Sequence, residues 1–298
     1  MEIPSYPDSR PLDLADKSLL DGRFSVLQPR ISELTFAGLY LFRAAHDYRL
    51  AMVGDALLVL GRGYSGERYC LPPVGGAVEA ALDAVWNDGL ELYGADETLA
   101  AQCLKRGGVT AAEDRDSFDY LYLREELATL PGHRFHKKKN RISYFAARHE
   151  YRVALFSEQH RAGCHRLLEV WRGVNDDGGA ATALGGELAA AAEALEMAER
   201  LGLEGVVVTV AGEVTAFSLG ERLNAGTAVC HFEKADPFME GAAQLVNREF
   251  SRLLFTECRF VNREQDLGDG GLRNAKLSYH PAELIKKFRI RRTPQMNA

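Results

Sequence analysis

The sequence lacks any long apolar segment. No uninterrupted apolar run approaches the roughly 18 residues that a membrane-spanning helix needs. The opening residues, MEIPSYPDSRPLDL, contain acids and prolines where a secretory signal requires a basic and then an apolar stretch. These absences argue against a membrane-spanning or secreted protein and predict a soluble protein of the cytoplasm.

Cysteine is scarce and dispersed. The five cysteines include no CxxC pair and no histidine partner at the spacing of a metal site. An odd, scattered set is typical of reduced thiols that lie mostly in the core. No residues have the order of a Ser-His-Asp or Cys-His nucleophile system, so neither a metal nor a covalent nucleophile is expected. We expect His133, His136 and His231 to be polar surface or strand residues.

Positive charge is in deficit overall but locally concentrated. The formal net charge is −6 and the pI is about 5.8, so nothing in the total charge predicts DNA as a partner. Two runs are nevertheless strongly basic, HRFHKKKNR at His133–Arg141 and KKFRIRR at Lys286–Arg292. Either a solvated face or a phosphate-rich ligand would explain each run.

The first half of the chain alternates helical and extended patterns. Apolar spacing predicts a helix over 34–48, and Gly54-Asp55 predicts a hairpin turn between strands 48–53 and 56–60. Further elements are predicted as strands at 67–71 and 118–123 and as helices at 77–86 and 138–147. The glycine turn Pro72–Gly76 lies between a strand and a helix, an arrangement that can offer the backbone N–H groups of Gly75 and Gly76 to an anion.

The second half has a more regular order. Helices are predicted at 161–171 and 187–201, with Gly178-Gly179 and Gly185-Gly186 marking mobile loops between them. A three-stranded meander follows at 205–210, 213–219 and 227–233. Asp236-Pro237 then predicts the start of a helix that runs to Leu254, and strands are predicted at 260–264 and 276–279.

This order of helix, helix, antiparallel meander, helix, strand, strand is that of the acyltransferase fold called GNAT. The 298 residues, 46% of them hydrophobic, are enough for two domains. We therefore predict two tandem GNAT-like domains, 1–158 and 159–298. The duplication is inferred from the order of the elements, since the halves share no obvious sequence repeat.

The most informative segment is VNREQDLGDGGLRNAKLSYHP, Val261–Pro281, because it combines many charges with a glycine-rich turn. Together with SELTFAGLYLFR (Ser32–Arg43), HKKKNRISYF (His136–Phe145) and HFEKADP (His231–Pro237), it resembles a bacterial family of uncharacterised proteins. That family is grouped with the C-terminal catalytic domain of phosphatidylglycerol lysyltransferase, and the resemblance covers nearly the whole chain.

The resemblance implies an α+β fold of two tandem GNAT-like domains, each a mainly antiparallel sheet flanked by helices. It also implies kinship with aminoacyl-tRNA-dependent transferases, which move an aminoacyl group from tRNA to a hydroxyl or amine. The family pattern G-L-R-x-x-K-x-K-F-x-P corresponds here to G-L-R-N-A-K-L-S-Y-H-P. Arg273 and Lys276 align with positions thought to hold donor and acceptor groups, whereas Ser278 replaces the second lysine and Tyr279 the aromatic residue.

Aminoacyl transfer requires a base and a group that stabilises negative charge, because the donor ester is already activated. Among the carboxylates we favour Glu264 and Asp266, which share a predicted strand-turn-strand unit with Lys276, and we predict these three residues as catalytic. We predict that the substrate is bound by a larger set: Lys139, Asn140, Arg141, Glu233, Lys234, Glu249, Asn262, Arg273 and Tyr279. A buried ion-pair network that only fixes the C-terminal hairpin is the structural alternative.

Three functions remain open. The first is transfer from an aminoacyl-tRNA-like donor, with tRNA or an anionic lipid headgroup as partner and peripheral membrane contact. The second is ligand binding without catalysis on the same fold. The third is acetyl-CoA-dependent N-acetylation: no cofactor is certain, and coenzyme A would have to use Gly75 and Gly76. The matching turn of the second half, DPFMEGAA at 236–243, has acids at both ends and would repel a pyrophosphate.

Overall fold

The computed structural model describes residues 2–174 and 183–293. These residues form two compact units. Unit one contains the chain up to Asp119, Gln265–Gly270 and the residues from Leu284 onward, and unit two contains Tyr120–Glu264 and Gly271–Glu283. Each unit is therefore built from separate stretches of chain, whereas the sequence predicted one boundary between residues 158 and 159.

The first part of the chain supplies five helices and six strands. In chain order they are β1 (Arg10–Pro11), α1 (Lys17–Leu27), α2 (Phe36–Leu41), α3 (Arg43–His46), β2 (Arg49–Val53), β3 (Ala56–Arg62), β4 (Arg68–Cys70), α4 (Val78–Asn87), β5 (Glu91–Ala95), α5 (Glu97–Arg106) and β6 (Val109–Glu113).

The remaining elements alternate less regularly. They are β7 (Asp119–Leu123), α6 (Arg124–Thr129), α7 (His136–Ala146), β8 (Tyr151–Leu155), α8 (Arg161–Val174), α9 (Ala183–Leu201), β9 (Glu204–Val210), β10 (Glu213–Asn224), β11 (Thr227–Ala235), α10 (Ala242–Leu253), β12 (Phe260–Asn262), α11 (Gly270–Leu277), β13 (Glu283–Ile285) and β14 (Phe288–Arg292).

The strands form two sheets of seven, with the orders β1-β2-β3-β4-β5-β14-β6 and β13-β7-β12-β11-β10-β9-β8. Both sheets contain an antiparallel meander, then a helix, then a strand parallel to the last meander strand. The predicted fold class is confirmed: a mixed α+β fold with two mainly antiparallel, helix-flanked sheets in GNAT-like order.

In each sheet, the strand after the parallel pair comes from a distant part of the chain. β14 from the chain's end pairs antiparallel with β5, and β7 from the middle of the chain pairs antiparallel with β12. β14 belongs to the last of the separate stretches of unit one, whereas unit two is discontinuous because it also includes Gly271–Glu283.

Elements with a strong apolar pattern lie where the sequence predicted them. Gly54, at φ +58°, turns the chain between β2 and β3, and Val53 pairs with Ala56 as in a two-residue hairpin. The predicted stripe of α9 is buried along its length, and so is that of α10 except for Leu253, which is 36% exposed. No helix of the described residues is both long and apolar enough to cross a membrane.

Two predicted elements differ in the structure. The helix after the meander begins at Ala242, because Asp236 caps only a local turn by accepting from the Phe238 N–H. The predicted strand 276–279 is instead the end of α11 and the turn after it. Lys276 and Tyr279 are buried and the two residues between them are exposed, which is helical spacing that the short alternation concealed.

Two further predictions concern the glycine pairs of the second half and the basic tail. Gly185 and Gly186 lie within α9, so the predicted loop there is wrong, and Gly178-Gly179 lies outside the described residues. The run Lys286–Arg292 is largely β14, with Lys287 completely buried. Lys287 Nζ lies 2.6 Å from Glu33 Oε2 and 2.7 Å from Asp119 Oδ1, so this lysine serves a buried ion-pair cluster.

Candidate active site

The candidate site lies in unit two, where β11 and β12 cease to pair. Their hydrogen-bonded register ends at Val229 and Asn262. Beyond that point β11 carries Glu233, and Arg263 follows β12. Arg263 Nη2 donates to Glu233 Oε1 at 2.9 Å, and Asn247 Nδ2 of α10 donates to Glu233 Oε2 at 2.8 Å. These contacts join β11, α10 and the chain after β12.

One nitrogen of the Arg263 guanidinium makes no hydrogen bond with the described residues. Its side chain is 13% exposed, yet within the described part of the chain Nη1 is buried without a hydrogen-bond partner. The guanidinium carbon lies 4.9 Å from the centroid of the Tyr279 ring, which favours a cation–π contact. A buried, unsatisfied donor carries a desolvation penalty that a ligand atom could relieve.

Lys138 of α7 lies against the same aromatic ring. Its Nζ is 3.9 Å from the Tyr279 centroid and donates to Ser278 Oγ at 2.7 Å. Burial, together with the positive charges of Arg263 and Arg141, lowers the pKa of Lys138 to about 8. This amine is therefore partly neutral near physiological pH and can accept a proton.

Glu264, predicted to be catalytic, is part of a buried cluster with His231. The ring of His231 donates to Glu264 Oε1 at 2.7 Å and to Glu221 Oε1 at 3.0 Å. Burial alone would lower the pKa of His231, but the bonds and charges of these two carboxylates raise it to about 10. The ring is protonated at neutral pH and ties β10 and β11 to the chain after β12.

Lys276, also predicted to be catalytic, binds backbone oxygens. Its Nζ donates to the carbonyls of Arg263 at 2.6 Å and Glu264 at 3.1 Å. Asn262 supports the same loop, since its Oδ1 accepts from the Glu264 N–H, and Glu264 has a left-handed φ of +55°. Lys276 and Asn262 therefore fix the backbone that carries Arg263.

Asp266, the third predicted catalytic residue, belongs to unit one. Its carboxylate is fully buried, accepting from Arg115 Nη1 at 3.1 Å and from the Gly268 N–H at 2.9 Å. The predicted strand-turn-strand unit of Glu264, Asp266 and Lys276 does not exist, because α11 replaces its second strand.

The remaining predicted substrate-binding residues are spread over unit two. Lys234 pairs with Glu187 at 2.8 Å beside the Trp171 ring, and Glu249 is buried between Arg248 and Arg252. On α7, Lys139 Nζ donates to the Gly132 carbonyl, Asn140 bonds His136, and Arg141 lies 3.9 Å from Glu240. Arg273 is half-buried on α11.

The structure thus brings the predicted residues Glu233 and Tyr279 together with four residues that were not predicted for the site: Arg263, Lys138, Tyr122 and Asn247. Tyr122 packs edge-on against Tyr279, with centroids 6.5 Å apart. Lys138 belongs to the basic run His133–Arg141, in which no sequence feature distinguishes it from Lys139. Asn247 carried no signal, because an asparagine on a helix is common.

The two turns considered for coenzyme A are both occupied by the protein itself. In unit one, Asp55 Oδ1 accepts from the Ala77 N–H at 3.0 Å and would lie 2.3 Å from a Cβ at Gly76. In unit two, a Cβ at Gly241 would lie 2.2 Å from the carbonyl oxygen of Arg141. A carboxylate fills the first turn and helix α7 packs against the second.

Two mainly antiparallel, helix-flanked sheets in GNAT-like order define the class of the protein as a tandem GNAT-like fold. The chain belongs to the family described as phosphatidylglycerol lysyltransferase, C-terminal, whose model matches residues 24–291. Among curated proteins, no sequence matches this chain.

Solved structures agree with this assignment. A conserved protein of unknown function from Bacteroides thetaiotaomicron is 30% identical, with a TM-score of 0.87 over 95% of this chain and 98% of that one. The C-terminal domain of a putative lysylphosphatidylglycerol synthetase from Agrobacterium fabrum has 13% identity and a TM-score of 0.64, covering 95% and 93%. L-PGS from Bacillus licheniformis has 15% identity and a TM-score of 0.63, covering 99% and 96%. The last two share the fold.

Proposed function

We propose that this protein transfers an aminoacyl group from an activated ester to a hydroxyl or amine acceptor in unit two. The observation that carries the proposal is the buried Arg263 guanidinium, whose Nη1 lacks a hydrogen-bond partner in the described structure and which shares the Tyr279 ring with Lys138. Membership of a family described as a lysyltransferase supports this class of reaction.

Arg263 is the group proposed to bind the donor carbonyl. Its Nη1 would donate to the ester oxygen, on which negative charge develops as the acceptor attacks. Glu233 holds the other end of the guanidinium, and Lys276 fixes the backbone beneath it. A donor positioned in advance stabilises the transition state without reorganising during the reaction.

Lys138 is the proposed general base. Its neutral amine takes the proton from the acceptor hydroxyl or amine while the new C–O or C–N bond forms at the ester carbon. The ester C–O bond then breaks, and the protonated amine returns the proton to the departing oxygen. A pKa of about 8 suits both steps near neutral pH.

The other predicted residues take supporting roles in this proposal. Glu264, Asn262 and Lys276 position the Arg263 loop and do not touch the reacting atoms. Lys139, Asn140 and Arg141, exposed on α7, would bind the phosphates of an aminoacyl-tRNA-like donor or of an anionic lipid. A cytoplasmic enzyme that meets a membrane surface would fit either phosphate source.

Transfer from charged tRNA with radiolabelled amino acids to phosphatidylglycerol vesicles and to soluble amines tests the proposal. Lys138→Arg keeps the positive charge but cannot act as a base at neutral pH, because a guanidinium stays protonated. We expect it to lower the rate by about 100-fold or more. The matched control is Lys137→Arg, an exposed lysine on the same helix with no assigned role, which should keep nearly the full rate.

The pH profile gives a second readout. The wild-type rate should rise with pH and level off above about 8, because only the neutral form of Lys138 accepts a proton. Equal rates for the Lys138→Arg and Lys137→Arg proteins, or a pH profile that does not rise toward pH 8, would contradict the assignment of the base.

Ligand binding without turnover is the second candidate function. It is favoured because Glu264 bonds to His231 and Lys276 bonds to a backbone carbonyl, so that neither side chain is left to react with a substrate. A stable amide analogue of an aminoacyl ester would then bind, and Arg263→Lys would weaken it, while no donor supports transfer. Acetyl-CoA transfer is disfavoured by the Asp55 carboxylate at the Gly76 turn.

A further inference from the structure

Unit one contains a separate cavity of about 510 Å³ between α4, β4, β5 and β14. Its lining includes three arginines and three carboxylates: Arg68, Arg291, Arg292, Glu67, Asp88 and Glu91. Trp86 also lines the cavity. The formal charges of these side chains cancel.

Two buried polar atoms of this wall lack a partner. Trp86 is 6% exposed and Glu91 is 8% exposed, and both line the cavity. Trp86 Nε1 and Glu91 Oε1 make no hydrogen bond with any described residue. Glu91 Oε1 lies at an ion-pair distance of 3.6 Å from Arg289 Nη1. The residues that line the cavity thus include one buried donor and one buried acceptor without a hydrogen bond.

The charged side chains differ in their engagement. Arg291 donates through Nε and Nη2 to Glu91 Oε2, Arg292 donates to Asn87, and Asp88 accepts the Tyr6 hydroxyl at 2.6 Å. Arg68, in contrast, is exposed, and its guanidinium has no hydrogen bond or ion pair in the described part of the chain. Arg68 can therefore meet a ligand without breaking an internal pair.

We propose that this cavity binds a small zwitterion that carries a carboxylate and an ammonium group, the chemistry of a free α-amino acid. The carboxylate would accept from Arg68 and Trp86 Nε1, and the ammonium group would donate to Glu91 Oε1. Balanced lining charges favour a ligand with two poles over a polyanion, which three carboxylates would repel. The site is independent of the reaction centre proposed in unit two.

Fluorine NMR tests this site directly, because the chain has only two tryptophans. The full chain is labelled with 5-fluorotryptophan, and a Trp86→Phe protein assigns the two signals. Free amino acids are titrated at up to millimolar concentration, followed by the N-acetyl and amide derivatives of those that bind. We expect a saturable shift of the Trp86 signal while the Trp171 signal stays unchanged.

Removing either pole should weaken binding at least about tenfold, because each pole makes a charge-assisted hydrogen bond. Arg68→Gln should have an effect of the same size, and Arg62→Gln, an exposed arginine that does not line the cavity, should have none. A Trp86 signal that no amino acid moves would overturn the proposal and leave a cavity filled with water. Equal responses to the acetylated or amidated probes, or to inorganic phosphate, would overturn it as well.

Discussion

At the scale of the residue, the polar side chains of unit two divide by whether the protein satisfies their buried atoms. Glu264 is bonded to His231, and Lys276 donates to two backbone carbonyls. Arg263 Nη1 and Asn247 Oδ1 are buried without a hydrogen-bond partner among described residues. Because an unsatisfied buried atom destabilises the fold, the second group is where a ligand gains most free energy.

His231 gives a prediction about stability and pH. Its folded pKa of about 10 lies above the unfolded value of 6.5, so its contribution is fully present below pH 6.5 and is lost as pH rises toward 10. His231→Gln should lower the free energy of unfolding by roughly 3 kcal/mol near pH 6, because two carboxylates lose their cation. Urea unfolding of both proteins between pH 6 and pH 10 measures this difference, which should shrink across that range.

His133→Gln is the matched control, because His133 is exposed on the surface of the same unit. Its unfolding free energy should follow the wild-type value at every pH. A His231→Gln penalty that stays constant from pH 6 to pH 10 would show that the ring is not held in its charged form by Glu221 and Glu264.

At the scale of the element, apolar periodicity correctly predicted the helices and strands that bury one regular apolar face. The β2–β3 hairpin, the β9–β10–β11 meander and the stripe of α9 all bury a regular apolar pattern. The end of α11 was mispredicted because four residues of alternation fit a strand as well as a helix. The contacts of the candidate site were not predictable, because Lys138 of α7 bonds Ser278, which lies 140 positions further along the chain.

The start of α10 gives a prediction about packing. Gly241 has φ +98°, and a Cβ there would lie 2.2 Å from the Arg141 carbonyl oxygen. Gly241→Ala should therefore lower the free energy of unfolding by roughly 3 kcal/mol, from backbone strain and overpacking together. Denaturant unfolding checks the value.

Gly173→Ala in α8 serves as the control, because nothing lies within 4 Å of a Cβ at that position. Alanine is favoured over glycine in a helix by about 1 kcal/mol, so this protein should be as stable as the wild type or more so. If both alanine variants unfolded at the same denaturant concentration, close packing of α10 on α7 would not be required for stability.

At the scale of the whole molecule, the last strand explains why unit one depends on the end of the chain. β14 lies between β5 and β6 and is antiparallel to both. Just before it, Lys287 forms ion pairs with the buried carboxyl groups of Glu33 and Asp119. The sequence predicted that this basic run is either a solvated face or a site for a phosphate-rich ligand. It could not indicate these partners, because they lie 254 and 168 positions away.

Truncation after Glu283 should therefore prevent unit one from folding. The change removes the strand between β5 and β6, leaves their edges unpaired, and buries two carboxylates without their cation. Limited proteolysis should then cleave the chain throughout 2–119, and amide NMR signals from that region should lose their dispersion.

Lys287→Met, which keeps the strand and removes only the cation, should cost roughly 3–5 kcal/mol of unfolding free energy. A chain ending at Thr293 keeps all of β14 and should resist protease like the full chain. If the chain ending at Glu283 resisted protease equally well, unit one would fold without β14. The pairing of β14 with β5 and β6 would then not be required for the fold of unit one.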